Sequence, residues 1–372
     1  MTILLAEVGE LRRVVLSVSV ALVMSACAEE QAVRPPEPPA RLQATDVSSL
    51  RVSGQQDLGS AYSAWLSPDG TSILYHSESG PCVRGVGGSA EHCFHGGGRL
   101  FALSAASWSP DGTTLAFTDE LALGSEPDLW VLDVASGELT TLTDDGVDRV
   151  GMNSQELPRD AKVDVAPSWS GDGTRIRFLR RESANAVAVM SVPAAGGEPR
   201  RHGTIDTSWA DLQTVAWADD TVAWLSGPPQ GGDDEVLVAA TTGGQPRKVL
   251  DGEYRVLSFS PDGNFLLADQ RDEELNAVEG KARVVPVRGG DPVPVADGAV
   301  MYPGWAPEGH AIVYVEAPGT LRVVGKPGAA PRDLHEQPGL RAADDDSIDW
   351  VPGGMLVSLG EDHPTLLTID GP

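Results

Sequence analysis

Short apolar runs recur along the chain, each flanked by turn residues. Val163-Asp164-Val165-Ala166-Pro167-Ser168-Trp169 leads into one turn, and Leu115-Ala116-Phe117 and Ala311-Ile312-Val313-Tyr314-Val315 follow others. A further run comes next in each neighbourhood, as in Leu129-Trp130-Val131-Leu132-Asp133-Val134 and Val187-Ala188-Val189-Met190-Ser191-Val192. Runs of this length, rich in β-branched and aromatic residues and bounded by Gly, Pro, Asp and Ser, predict β-strands. A more polar strand closes each group, as in Leu139-Thr140-Thr141-Leu142-Thr143 and Arg247-Lys248-Val249-Leu250. Polar side chains suit a strand at an exposed sheet edge.

The turns between these runs repeat. Trp65-Leu66-Ser67-Pro68-Asp69-Gly70, Trp108-Ser109-Pro110-Asp111-Gly112, Trp169-Ser170-Gly171-Asp172-Gly173 and Phe259-Ser260-Pro261-Asp262-Gly263 share one form. Trp217-Ala218-Asp219-Asp220 is a worn copy, and Trp305-Ala306-Pro307-Glu308-Gly309 and Trp350-Val351-Pro352-Gly353-Gly354 are variants. Pro presets φ, Asp bonds to the local backbone and Gly takes a positive φ at the exit, so the segment predicts a tight turn. A second turn falls at Ser136-Gly137, Gly196-Gly197, Gly243-Gly244 or Gly289-Gly290. The leading aromatic residues lie about 42 to 48 residues apart, with one gap of about 61, a period expected of four-stranded propeller blades. The Trp of each unit is read as packing between blades.

This pattern resembles the TolB-type β-propeller repeat, a relative of the WD-repeat propellers, over about residues 55–370. The resemblance implies an all-β wheel in the bacterial envelope, often used for protein contacts. The expected fold is a single propeller of seven four-stranded blades, with six as the alternative because the family precedent is six. After Trp350 the last unit supplies two more strands, around 355–359 and 365–369, so its fourth is expected from the N-terminal side. Leu42-Gln43-Ala44-Thr45 and Leu50-Arg51-Val52 are the candidates. Pairing them would remove the open edge.

The N-terminus reads differently. Arg12 and Arg13 precede the apolar stretch Val14 to Met24, which is too short to span a bilayer and has the layout of a secretory signal. It ends in Met24-Ser25-Ala26-Cys27, which resembles a bacterial lipobox. The resemblance implies cleavage after Ala26 and lipid attachment at Cys27; an ordinary signal peptide cut near Ala26 is the alternative. Pro35-Pro36-Glu37-Pro38-Pro39 then reads as a stiff tether. The expected organisation is a signal peptide over 1–26, a tether over 27–40 and a propeller over 41–372. The expected location is the periplasmic or extracellular side of the envelope.

Charge narrows the partners. Asp and Glu number 54 against 27 Lys and Arg, a formal charge of −27. Such a chain lacks the cations that neutralise nucleic-acid phosphates, so nucleic acid is excluded as a partner. An anionic membrane surface is a poor electrostatic match, which leaves the N-terminal lipid as the expected membrane contact. Roughly 30 of the acids fall in loops expected to share one face of the wheel. Asp144, Asp145, Asp148, Asp164, Asp233, Asp234, Asp344, Asp345 and Asp346 are the candidate acidic binding face. A solvated face that keeps the protein soluble is the alternative. Asp344 to Asp346 with Asp349 could hold Ca²⁺, although no complete calcium-loop pattern is present. No other cofactor is expected. The longest connection, Asp144 to Asp164, is the expected place for a lid or partner contact.

In an exported chain, Cys82 and Cys93 suggest a disulfide across a hairpin. A metal site with His92 and His95 is the alternative, but the spacing departs from zinc motifs. Gly85-Val86-Gly87-Gly88-Ser89-Ala90 is a loose dinucleotide match without a following helical pattern. No G-x-S-x-G, H-E-x-x-H or P-loop occurs. The leading functional expectation is a non-catalytic, monomeric module that binds an envelope protein or basic peptide. A lyase or hydrolase acting on a saccharide or small ester at the wheel's centre is the alternative, and a cation-binding structural module is a third. Clustered His and carboxylates at a channel mouth would favour an enzyme, whereas acids without His would favour binding.

Overall fold

A computed structural model of the chain shows one compact unit from Pro39 onward. It describes residues 40–58, 64–77, 80–88, 91–94, 100–101, 106–120, 128–144, 162–209, 212–227, 234–252, 254, 256–270, 281–316, 319–336, 347–358 and 364–371. Cys27 and the signal segment lie outside the described residues.

The described residues form strands and turns with no α-helix. The strands assemble into seven antiparallel sheets, the blades of a β-propeller. Blade one holds Ala64–Leu66, Ser72–Ser77, Gly80–Gly85 and His92–Cys93. Blade two holds Ser107–Trp108, Thr114–Glu120, Leu129–Asp133 and Leu139–Thr141, with a short extra strand, Leu100–Phe101, beside Thr114–Glu120. Blades three to six begin at their inner strands Asp164–Trp169, Leu212–Trp217, Val256–Phe259 and Met301–Trp305. Each then runs outward in chain order through three further strands.

Blade seven takes Ser347–Val351, Gly354–Ser358 and Thr365–Asp370, and its outer strand is Arg51–Asp57. The register pairs Arg51 with Asp370 and Asp57 with Thr365, with a bulge between Val52 and Gly54. The other candidate segment, Leu42 to Thr45, forms no strand. It crosses blade six, where the N–H of Gln43 donates to Nδ1 of His310 at 2.9 Å and that of Thr45 to the carbonyl of Gly325 at 2.8 Å. Arg332 donates to the carbonyls of Val47 and Leu50 at 2.7 and 2.6 Å.

The long apolar runs now have a reason. Successive side chains point to opposite faces of a sheet, and each blade buries both faces. Ile73 and Tyr75 pack towards blade seven, whereas Leu74 packs towards blade two. Val313 and Val315 face blade seven, and Ile312 and Tyr314 face blade five. The core is therefore divided into layers, each filled from two neighbouring blades. The motif tryptophans add polar links across these layers. The indole N–H of Trp169 donates to the Ser107 carbonyl of the preceding blade at 3.0 Å. Trp217 donates to Ala166 at 2.9 Å and Trp305 to Ser258 at 3.2 Å.

The repeated turn is held by its own side chains. Ser170 Oγ donates to Asp172 at 2.6 Å, the Thr174 N–H donates to the same carboxylate at 3.0 Å, and Gly173 sits at φ 68°. The Ser170 hydroxyl and the Thr174 donors hold the Asp172 pKa down to about 2. The same bonds recur around Asp69, Asp111 and Asp262. In the worn copy Arg177 from blade three replaces them. It donates to the carbonyls of Ala218 and Asp219 at 2.7 and 3.1 Å and lies over the Trp217 ring.

Blades three and four meet most closely at Gly203, where an added Cβ would sit 1.8 Å from the Thr242 carbonyl oxygen. Gly203→Ala should therefore lower Tm by several degrees or block folding, because backbone on both sides must move. Gly87→Ala, at a position with nothing within 4 Å of the added carbon, should leave Tm unchanged. Equal melting of the two variants would refute the close approach.

Candidate binding site in the central channel

The inner strands of the blades surround the axis of the wheel, the place where propellers hold a channel. A cavity of about 440 Å³ opens there between blades five, six, seven and one. Its walls include Phe259, Tyr302, Trp305 and Trp350, with Asp269 and Asp349. No Lys, Arg or His is among the described residues that line it.

Local backbone shapes this wall. The inner strand of blade six shifts register between Met301 and Gly304, and Tyr302 takes φ 51° there. A left-handed conformation at a bulky residue costs about 1–2 kcal/mol, so the bulge persists only because its surroundings enforce it. Gly304 follows, and a Cβ on it would lie 2.7 Å from the Ile348 carbonyl oxygen of blade seven. The bulge and the glycine together bring the inner strands of blades six and seven close, which sets Asp349 into the cavity.

Asp349 also joins blades seven and one. One carboxyl oxygen accepts the Leu66 N–H at 2.9 Å. Among the described residues no cation pairs with it. Burial pushes its pKa up to about 6, although the Leu66 N–H pulls the other way.

Three residues of the expected acidic face, Asp144, Asp164 and Asp234, are among the described residues. Asp164 is fully buried, and Arg180 binds it through two bonds of 2.6 Å each. It is part of the contact between blades two and three and presents no charge to a partner, which corrects its place in the candidate face. Asp144 is exposed and Asp234 half-buried. Asp145, Asp148, Asp233, Asp344, Asp345 and Asp346 lie outside the described residues, as does most of the connection from Asp144 to Asp164. Nearby acids have cations: Lys248 bridges Glu235 and Asp251 at 3.2 and 2.7 Å, and Arg322 bridges Glu316 and Asp333 at 2.8 Å each.

Cys82 and Cys93 are directly opposed across the outer strands of blade one, and a disulfide joins them. Ser191 and His202 stand 2.8 Å apart; His202 is exposed, but Ser191 is buried and its hydroxyl also accepts from Arg175, so the hydroxyl is not presented to a substrate. His310 is likewise buried, between Asp262 and Gln43. Among the described residues no three His, Cys, Asp or Glu side chains are grouped to hold a metal ion. No described helix is long and apolar enough to cross a membrane.

The sequence pattern marked Trp305 and Trp350 as blade markers but did not reveal that they share a cavity with Asp349. Only the spacing Asp349-Trp350, one residue before the repeat's anchor, hinted at an inward acid.

No family model matches the chain, and no curated protein matches it. Solved structures share its fold. One is an oligogalacturonate lyase in complex with manganese, at 14% identity and TM-score 0.58, covering 90% of this chain and 97% of that one. Another is an oligogalacturonate lyase from Vibrio parahaemolyticus, at 14% identity and TM-score 0.55, covering 87% and 92%. TolB from Acinetobacter baumannii is similar at 17% identity and TM-score 0.40, covering 62% and 55%. At these identities the likeness concerns the fold.

Asp349 sets a pH dependence of stability. The folded carboxyl titrates near 6 and an unfolded aspartate near 4, so the folded state binds the extra proton between those values. Stability should fall as pH rises from about 4 to about 6 and stay level above. Asp349→Asn should abolish that fall and raise Tm at pH 7 by a few degrees. A constant difference between wild type and variant from pH 4 to pH 7 would contradict this.

Proposed function

We propose that the protein is a lipid-anchored β-propeller of the bacterial cell envelope that binds a protein or peptide partner and catalyses no reaction. The carrying observation is the channel cavity, lined by aromatic residues and by Asp269 and Asp349 without histidine among its described lining. A catalytic site needs a nucleophile, base or metal held in mutual reach. The described side chains supply no metal cluster, and the Ser191 hydroxyl beside His202 is buried. Aromatic rings with a few placed polar groups suit binding instead.

The apolar stretch ending in Ala26-Cys27 supports export and lipid attachment, and the Pro-rich segment after it supports a tether that holds the wheel off the membrane. A charge of −27 supports a basic partner.

A saccharide lyase or hydrolase is the second reading, since the propeller fold is shared with oligogalacturonate lyases. The chemistry of this chain runs against it. An oligogalacturonate carries a carboxylate on each sugar, and a cavity with Asp269 and Asp349 in a chain of net charge −27 repels such a substrate. The described residues also do not fit a manganese ion.

Three measurements test the proposal. Cys27→Ala should release the protein from isolated membranes, whereas retention of the variant would contradict lipid anchoring. The tethered protein should capture a partner from envelope extracts at roughly 50 mM salt and lose most of it at roughly 500 mM, because exposed charges are screened. Capture that is indifferent to salt would count against a basic partner, and release of unsaturated uronides from oligogalacturonate would replace binding with the lyase reading.

A further inference from the structure

The reading of the protein as a binding module leaves open what the channel recognises, and the inference here rests on that reading. We propose that the cavity between blades five, six, seven and one is a socket for a single cationic side chain, a lysine or arginine of the partner, gripped by Asp349 and the rings of Trp350 and Trp305.

Three features of the cavity converge on this ligand. Its aromatic walls offer ring faces and edges to an aliphatic stem, and ring faces attract an ammonium or guanidinium group. Its described lining includes Asp349 and Asp269 and no cation of its own. Asp349 gives one oxygen to the Leu66 N–H and pairs with no cation among the described residues, in contrast to Asp164, Glu235 and Glu316, each of which has an Arg or Lys. An anionic ligand would meet like charge at Asp349, and a purely apolar ligand would bury that carboxyl without a cation, which is costly. A cation on an apolar stem satisfies both parts of the wall.

The wall is also built to stay in place. The register shift at Tyr302 and the close approach at Gly304 fix the inner strand of blade six, and the Leu66 N–H orients the Asp349 carboxyl from blade one. Preorganised groups lose little freedom on binding. The titratable groups that line the cavity with Asp349 are Asp269 and the Tyr302 phenol. Because the Asp349 carboxyl titrates near 6, its negative charge grows as pH rises from 5 to 7, and affinity for a cation should grow with it.

The test uses three blocked tripeptides, acetyl-Gly-Lys-Gly-amide, acetyl-Gly-Arg-Gly-amide and acetyl-Gly-norleucine-Gly-amide, titrated into the whole mature chain. Trp fluorescence and calorimetry report binding. Norleucine keeps the stem of lysine and removes its charge. The Lys or Arg peptide should bind at least about tenfold more tightly than the norleucine peptide at pH 7, and more tightly at pH 7 than at pH 5. Asp349→Asn should remove most of that preference and all of its pH dependence, and Trp350→Ala should weaken binding of both cationic peptides. Thermal melting of each variant separates loss of the socket from loss of the fold. Equal affinity for all three peptides, or a preference that survives Asp349→Asn, would overturn the proposal. A partner captured equally by wild type and Asp349→Asn would remove the socket and leave the binding function standing. Tripeptide binding without any envelope partner would leave the socket standing and remove the binding function.

Discussion

Every blade of this wheel depends on its neighbours because each sheet is apolar on both faces. Leu74 faces one neighbour while Ile73 and Tyr75 face the other, and Ile312 and Val313 divide in the same way. A single blade would expose both faces to water, so stability comes from stacking blades against one another. Blade seven takes three strands from the C-terminal side and one from Arg51–Asp57, which couples distant parts of the chain in one sheet. The layer between blades seven and one, with Val351 and Leu366 against Leu58, Ile73 and Tyr75, carries the same kind of contact as the other layers.

Polar bonds then set the angle between blades. Indole N–H groups reach back to the preceding inner strand at Trp169, Trp217 and Trp305, so the repeated Trp serves both packing and hydrogen bonding. Between blades seven and one, the carboxyl of Asp349 on the Leu66 N–H makes the polar link. A carboxyl in that place is buried at a cost that an indole does not bear. The site with the strongest claim to binding is thus also where blade contact departs from the repeat, in keeping with local rules being broken at functional positions.

The fold was largely legible from the chain. The Ser-Pro-Asp-Gly turns, the strand runs and the period around the aromatic anchors follow from local chemistry, because each turn is held by residues within five positions of one another. The channel site was not legible, since Phe259, Tyr302, Trp305 and Asp349 come from three blades, and their meeting depends on the ring. The expected acidic face was misread at Asp164 for the same reason. A carboxylate at the end of a long connection looks solvent-exposed until Arg180, sixteen residues on, is seen to cover it.

By itself the sequence determined the repeating unit, the turn chemistry, the class of fold and the sign of the charge, all of which are properties of neighbouring residues or of simple sums. Tertiary structure decided which strand completed blade seven, where Asp164 and Asp349 ended up, and which aromatic rings share a cavity. Those outcomes depend on packing between residues far apart in the chain. Burial and pairing are energies of the assembled ring and belong to no single repeat.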